Sequence, residues 1–288
     1  MSKYVPVRLA YKTVEPVCGA SDKPPIIFLH ALTASSDCWL DIPQTIANET
    51  KRKIYLLDAR NHGDSEWSDE FDLDVYSIDL VQFMDTLNIP KAALLGHSMG
   101  GMTAIKTALK EKDRVEMIIV EDMTVRKFPK AVMDMMPKSL TLIQQATEQI
   151  PSDIDENDAK KFLFEYVHNQ LPPEGKELLK RRDNDAHILT SLKRNPDGGY
   201  SLKANIKAIL DAVKNTETLI SEPNGLYDGP AYFIYGTYSP FVGEADEPYI
   251  REFFPNAEFQ AIEGATHSVH TDCPQEFTDA VLKFLSKA

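Results

Sequence analysis

Ser98 stands between two glycines in Gly96-His97-Ser98-Met99-Gly100, a G-x-S-x-G stretch. Before it, the apolar run KAALLG has the character of a short buried strand. After it, MGGMTAIKTALKEK repeats apolar residues at Met102, Ile105 and Ala108/Leu109, the spacing of one helix face. A strand that turns abruptly into a helix strains the backbone at the corner. Glycines two places before and after leave room for the neighbouring strand and helix. Such a corner presents an accessible hydroxyl. A serine hydroxyl is a poor nucleophile at neutral pH, so it needs a base within hydrogen-bond reach and a third group to orient that base.

Seven histidines are available as the base. His97 adjoins Ser98 and is expected to point away from it. His30 and His62 follow strands in turn motifs, and His168 and His187 fall in a helical middle segment. His267, in GATHSVHTDCP, follows the final strand by a short glycine-containing loop and precedes the final helix. It is therefore the candidate base, with His270 lining or supporting the same loop. For the acid, a carboxylate in a G-x-x-D stretch is common in Ser-His hydrolases, but here that stretch is Gly236-Thr237-Tyr238-Ser239. The next acids, Glu244 and Asp246, lie beyond Pro240 and Gly243. One strand earlier, RVEMIIVEDM ends in Glu121-Asp122. Neighbouring strand residues face opposite ways, so only one of the two can turn toward Ser98. Asp122 is the choice; otherwise both merely end a strand or cap a helix.

The oxyanion of acyl transfer also needs donors. The Met99 N–H comes with the elbow, and the Leu32 N–H in HALTASSDCW is the second candidate, with Ala31 where glycine is usual. His30, Ala31, His97, Met123 and His270 are the candidate pocket residues around this centre.

These residues need a scaffold. PPIIFLHA (24–31), KRKIYLLDAR (51–60), KAALLG and RVEMIIVED (114–122) read as strands, and DVYSIDLVQFMDTLNIP as a helix with a stripe of Val75, Ile78, Val81/Met84 and Leu87. Alternating strands and helices imply parallel βαβ units. The pattern resumes with PAYFIYG (230–236), Ala257 to Ile262, and a last helix striped by Phe277, Ala280, Val281, Phe284 and Leu285. From about Met123 to Tyr227 strand signals vanish. The expected division is a core of 1–122 and 228–288 with a helical cap, 123–227, over the carboxyl ends of the strands, where ligands bind in open α/β sheets. Met123, Val125, Phe128, Met133, Met135 and Met136 would form either an adaptable apolar wall or the cap's own core. Lys180-Arg181-Arg182 reads as a solvated charge run, or else a phosphate contact.

Together, FLHALTASSDCW, LLDARNHGDS, LLGHSMGG, IIVEDM, NPDGGYSLKANI and GATHSVHTDCP resemble the α/β-hydrolases. The resemblance is narrower to the YbfF-type esterases, the mitochondrial abhydrolase-domain-containing proteins and the yeast ethanol acetyltransferases. It implies an α/β-hydrolase fold and a Ser-Asp-His triad of Ser98, Asp122 and His267. The chain departs from the group at Ala31 and in reading D-M-T where D-I-x-P is usual; both positions touch the rim of the site. The chemistry implied is hydrolysis of a carboxylic ester or thioester, with no metal or organic cofactor required. Alternatives are acyl transfer to an alcohol and a non-catalytic binding or scaffold role. A serine at the elbow argues against dehalogenase or epoxide hydrolase chemistry, which uses an aspartate there.

Composition narrows the partners. With 31 basic and 44 acidic residues the formal net charge is −13, which excludes broad attraction to nucleic acid or anionic membranes. A small-molecule acyl ester or thioester is the expected partner. Cys18, Cys38 and Cys273 are widely spaced and odd in number, pointing to free thiols in a reducing compartment. No apolar run reaches the ~18 residues of a membrane span. The N-terminal MSKYVPVRLAYKTV alternates like a strand, so a cytoplasmic location is expected, or a mitochondrial one if a leader is absent from this sequence.

Overall fold

The computed structural model describes residues 4–126, 130–170, 192–214 and 223–287. Phe128, Lys180-Arg181-Arg182 and His187 lie outside the described residues. The strands are β1 (Tyr11–Val14), β2 (Ile26–Leu29), β3 (Ile54–Leu57), β4 (Ala92–His97), β5 (Val115–Glu121), β6 (Leu192–Arg194), β7 (Tyr200–Leu202), β8 (Ala231–Gly236) and β9 (Ala257–Ile262). The helices are α1 (Ile42–Thr50), α2 (Leu73–Thr86), α3 (Met99–Lys110), α4 (Lys130–Glu148), α5 (Glu156–Gln170), α6 (Ile206–Lys214), α7 (Glu247–Phe253), α8 (Val269–Asp272) and α9 (Pro274–Leu285).

Among the described residues a seven-stranded sheet runs in the order β1-β3-β2-β4-β5-β8-β9. β1 is antiparallel to β3 and the other pairs are parallel. Strands β2, β4 and β8 are buried along their whole length, because a parallel sheet is covered on both faces. Alternate residues feed two cores. Ile27, Leu29 and Leu94 pack with α2 and α3 on one face. Ile26, Phe28 and Leu95 pack with Ile46 of α1 and Phe277, Val281 and Phe284 of α9 on the other.

Helix α2 is rotated from the stripe its spacing predicts. Tyr76, Leu80, Phe83 and Met84 are buried, whereas Ile78 is 44% exposed. Polar partners set this rotation. The buried Asp79 accepts from Arg60 Nε at 2.5 Å and Nη2 at 2.8 Å, and the Tyr76 hydroxyl donates to the Arg60 carbonyl at 3.2 Å. A buried charge left unpaired would cost more than an exposed isoleucine.

The segment expected to be purely helical carries a hairpin, β6–β7, and that expectation is corrected. Its strands have three residues each and close through the N-P-D-G-G turn. There the Asn195 N–H donates to the Gly199 carbonyl at 2.8 Å, and the Asp197 carboxylate accepts from the Gly199 N–H at 3.0 Å. Strands this short show too little alternation to be legible. The hairpin's far end is tied to the main body. The Asn205 N–H donates to the Asn61 carbonyl at 2.8 Å, His62 and Ala204 form an isolated bridge, and Lys203 Nζ lies 2.9 Å from Asp37 Oδ2. Among the described residues no helix is long and apolar enough to cross a membrane.

Candidate active site

Ser98 occupies the corner between β4 and α3 with φ 52° and ψ −112°, a strained conformation for a residue with a side chain. The flanking glycines are sterically required. A Cβ on Gly96 would lie 2.2 Å from the Gly100 carbonyl oxygen, and one on Gly100 would lie 2.0 Å from the Leu29 carbonyl oxygen. The Ser98 N–H donates to the Glu121 carbonyl at 3.0 Å and its carbonyl accepts from the Met102 N–H at 2.9 Å. Those two bonds fix the corner to β5 and to the first turn of α3. Ser98 and His267 line one cavity of about 340 Å³.

The strand that places the acid also ends in a strained residue. Asp122, one past β5, has φ 50°, and its N–H donates to the Ile234 carbonyl of β8 at 2.8 Å. The sequence allowed one acid toward Ser98, and the two side chains do part here. Asp122 Oδ2 is 2.6 Å from His267 Nδ1. Glu121 accepts from the backbone N–H and the Nδ1 of His270, each at 2.8 Å. Asp122 Oδ1 accepts from the Gly236 N–H at 3.2 Å, and Oδ2 also accepts from the Ser239 hydroxyl at 2.5 Å. Glu244 and Asp246 sit in a turn of their own, where Asp246 Oδ2 accepts from the Gly243 N–H at 3.1 Å.

Burial raises the Asp122 carboxyl to about 7, against the hydrogen bonds from Ser239 and Gly236, which favour the charged form. Burial also works against charge on Glu121, but the His270 and His97 imidazoles and the hydrogen bonds from His270 outweigh it and hold the carboxyl below its ordinary value. His97 is lowered to about 3 by burial. A carbonyl only accepts, so the 2.8 Å contact between His97 Nε2 and the His267 carbonyl places the His97 proton on Nε2. The Phe241 ring packs over His267 with centroids 4.1 Å apart.

Ala31, Leu32 and Thr33 line the cavity beside Ser98. Two buried imidazoles hold this loop. His30 Nε2 accepts from the Ala59 N–H at 3.0 Å while Nδ1–H donates to the Ala31 carbonyl at 2.8 Å. His62 Nε2 accepts from the Thr33 N–H at 3.3 Å while Nδ1–H donates to the Arg60 carbonyl at 2.9 Å. Both are kept neutral by burial, His62 down to about 3. His30, expected in the pocket, does not line this cavity; both of its ring nitrogens are engaged by backbone, at Ala59 and at Ala31. His62 was not singled out in the sequence, and its signal was the N-H-G-D turn after a strand. Ala31, His97, Met123 and His270 do line the cavity.

The remaining wall is mostly apolar, with Ser139 and Ser268 also in it. Phe71, Leu73 and Met102 come from one side, and Met136, Ile143, Leu202 and Val213 from the inserted segment. The run of apolar residues after β5 divides accordingly. Val125 is buried in the core and Met133 packs against it, while Met135 is 55% exposed and belongs to no wall.

His97, Glu121 and His270 are buried and offer one ligating atom each within 4.8 Å, a juxtaposition not foreseen in the sequence. Hydrogen bonds already engage this set. Both Glu121 oxygens lie 2.8 Å from His270 Nδ1, and one also takes the His270 N–H.

A doubly covered parallel sheet, a strained serine at its central corner and a histidine backed by a buried carboxylate define an α/β hydrolase. The chain belongs to that family: residues 24–274 match the alpha/beta hydrolase fold. It is 31% identical to the sn-1-specific diacylglycerol lipase ABHD11 of Danio rerio, over 97% of this chain and 83% of that protein. Ethanol acetyltransferase 1 of Wickerhamomyces ciferrii is 26% identical over 97% of this chain and 74% of its own length. Among solved structures, a marine microorganism esterase superposes with a TM-score of 0.76 at 27% identity, covering 96% of this chain and 99% of that one.

Proposed function

We propose that the protein is a serine esterase that hydrolyses carboxylic esters or thioesters through an acyl-enzyme on Ser98. One observation carries this reading: His267 Nδ1 lies 2.6 Å from the buried Asp122 carboxylate, in a cavity that Ser98 also lines. A carboxylate behind Nδ1 requires the proton there, which leaves Nε2 with the lone pair that a general base needs. Ser98 Oγ attacks the acyl carbon as His267 takes its proton. The oxyanion is held by the N–H groups of Met99, at the start of α3, and of Leu32. Each such donor lowers the barrier by about 3 kcal/mol. The imidazolium then protonates the departing alkoxide or thiolate. A water molecule, deprotonated by the same imidazole, releases the carboxylic acid and restores Ser98.

In this reading the segment 123–227 is a cap, whose described residues Met136, Ile143, Leu202 and Val213 give the cavity an apolar wall. The acyl group is therefore apolar, in keeping with the diacylglycerol lipase named among the relatives. A second reading, transfer of the acyl group to an alcohol, is favoured by the likeness to ethanol acetyltransferase 1. Ester formed on adding ethanol to the acyl-enzyme would distinguish it. The test of the main reading is turnover of p-nitrophenyl butyrate. Ser98→Ala is expected to lose at least ~10³-fold in kcat, and equal turnover by both proteins contradicts the reading.

A further inference from the structure

The loop that carries His267 is closed on itself. Asp272 Oδ2 accepts from the Thr266 N–H at 2.7 Å and from the Thr266 hydroxyl at 2.5 Å. A closed loop keeps its own shape but still needs a fixed attitude toward Ser98. Asp122 meets His267 at the ring, which orients the imidazole and leaves the backbone beneath it to other contacts. Two reach that backbone. His97 Nε2–H donates to the His267 carbonyl at 2.8 Å. Glu121 accepts from the His270 N–H at 2.8 Å, and His270 Nδ1 lies 2.8 Å from both of its carboxylate oxygens.

Glu121 is itself firmly placed. It closes β5 with His97 of β4 opposite on one side and Ile234 of β8 on the other. Its carbonyl accepts from the Ser98 N–H at 3.0 Å. One residue thus holds the serine's corner through its backbone and the histidine's loop through its side chain. It is wholly buried and no part of the cavity wall, whereas the buried His270 does line the cavity. An apolar side chain of similar size would pack inside the sheet without desolvating a charge. The charge is kept nonetheless: burial opposes it, but the His270 and His97 imidazoles and the hydrogen bonds from His270 hold the carboxyl below its ordinary value.

We propose that Glu121 and His270 form a buried clasp that sets His267 against Ser98, with Glu121 a positioning residue that touches no substrate. This rests on the serine esterase reading above, in which His267 takes the Ser98 proton. The clasp governs the approach of imidazole to hydroxyl, so it acts when the proton moves and not when the ester binds. Its signature is a fall in kcat with KM unchanged.

The test uses the full chain and p-nitrophenyl butyrate, with kcat and KM measured separately and folding checked by thermal melting. Glu121→Gln keeps the shape and one acceptor oxygen. It is expected to lose at least ~5-fold in kcat with KM within ~2-fold of the wild type. Glu121→Met/His270→Leu replaces the pair by apolar side chains, a change that often leaves stability level or raised. This double variant is expected to melt near the wild type and yet to lose at least ~10-fold in kcat. His270→Asn keeps an N–H donor at the δ position. It is expected to stay within ~3-fold of the wild type in kcat, while His270→Leu falls as far as the double variant. Wild-type kcat in Glu121→Gln or in the folded double variant overturns the proposal. So does a loss that falls on KM in Glu121→Gln, or a His270→Asn no faster than His270→Leu. Should the double variant fail to fold, the Gln and Asn variants decide. Ser98→Ala as active as the wild type is a different failure, that of the underlying reading.

Discussion

At Asp122 burial and charge are set against each other. Its carboxyl is raised from 3.8 to about 7 by burial, although Gly236 and Ser239 donate to it. Burial therefore works against the charged form, and the hydrogen bonds to it work in its favour. The penalty is absent below the unfolded value near 4 and grows as pH rises toward 7. Asp122→Asn keeps the shape, removes the penalty, and puts at φ 50° a residue that tolerates the left-handed region. The variant is expected to be more stable than the wild type at pH 8, with the difference fading toward pH 4. Urea midpoints at the two pH values check this; a variant less stable at pH 8 would contradict it. At this scale the sequence pointed to the residues that the structure brings to one cavity wall and one hydrogen bond, Ser98, His267 and Asp122. The elbow named Ser98, and the absence of an acid in Gly236–Ser239 pointed back to β5. The roles of Glu121, His30 and His62 were not legible, because each is defined by a partner distant in sequence that only the folded chain brings near.

Elements were readable where the environment imposes a pattern. Strands β2, β4 and β8 are covered on both faces and so appear as uninterrupted apolar runs. Helix α9 buries the predicted Phe277, Val281, Phe284 and Leu285. Helix α2 defeated the same logic because a buried Arg60–Asp79 pair turns polar residues inward. The β6–β7 hairpin was hidden by its brevity, yet it carries Leu202 to the cavity wall. Asn205 ties that hairpin down: its side chain donates to Asn61 Oδ1 at 3.2 Å and accepts from the Ala208 N–H at 3.2 Å, capping α6. Asn205→Ala is expected to cost about 1–2 kcal/mol of stability. It should also raise KM for long acyl esters more than for p-nitrophenyl acetate. An equal change in KM for both would show that the hairpin does not shape the acyl site.

For the molecule as a whole, acid is the predicted weakness. His62 and His97 are each lowered from 6.5 to about 3 by burial. The folded state holds them neutral, so their contribution is complete above 6.5 and is lost as pH falls toward 3. Glu121, held below its ordinary value of 4.5, adds to the same loss at the acid end. Asp122 opposes both. Urea midpoints are expected to fall between pH 6.5 and 4, and to fall more steeply in Asp122→Asn; a flat profile would contradict the buried-imidazole account. The seven-stranded sheet brings residues from positions 98, 122 and 267 to one edge, and the proposed function depends on that gathering. The most direct test is kcat/KM for p-nitrophenyl butyrate in Asp122→Asn beside Glu244→Gln and Asp246→Asn. A loss of ~10³-fold or more in the first, with less than ~3-fold in the other two, is the predicted result. Near wild-type activity in Asp122→Asn with the loss falling on Glu244 or Asp246 would contradict the assignment of the acid to the end of β5.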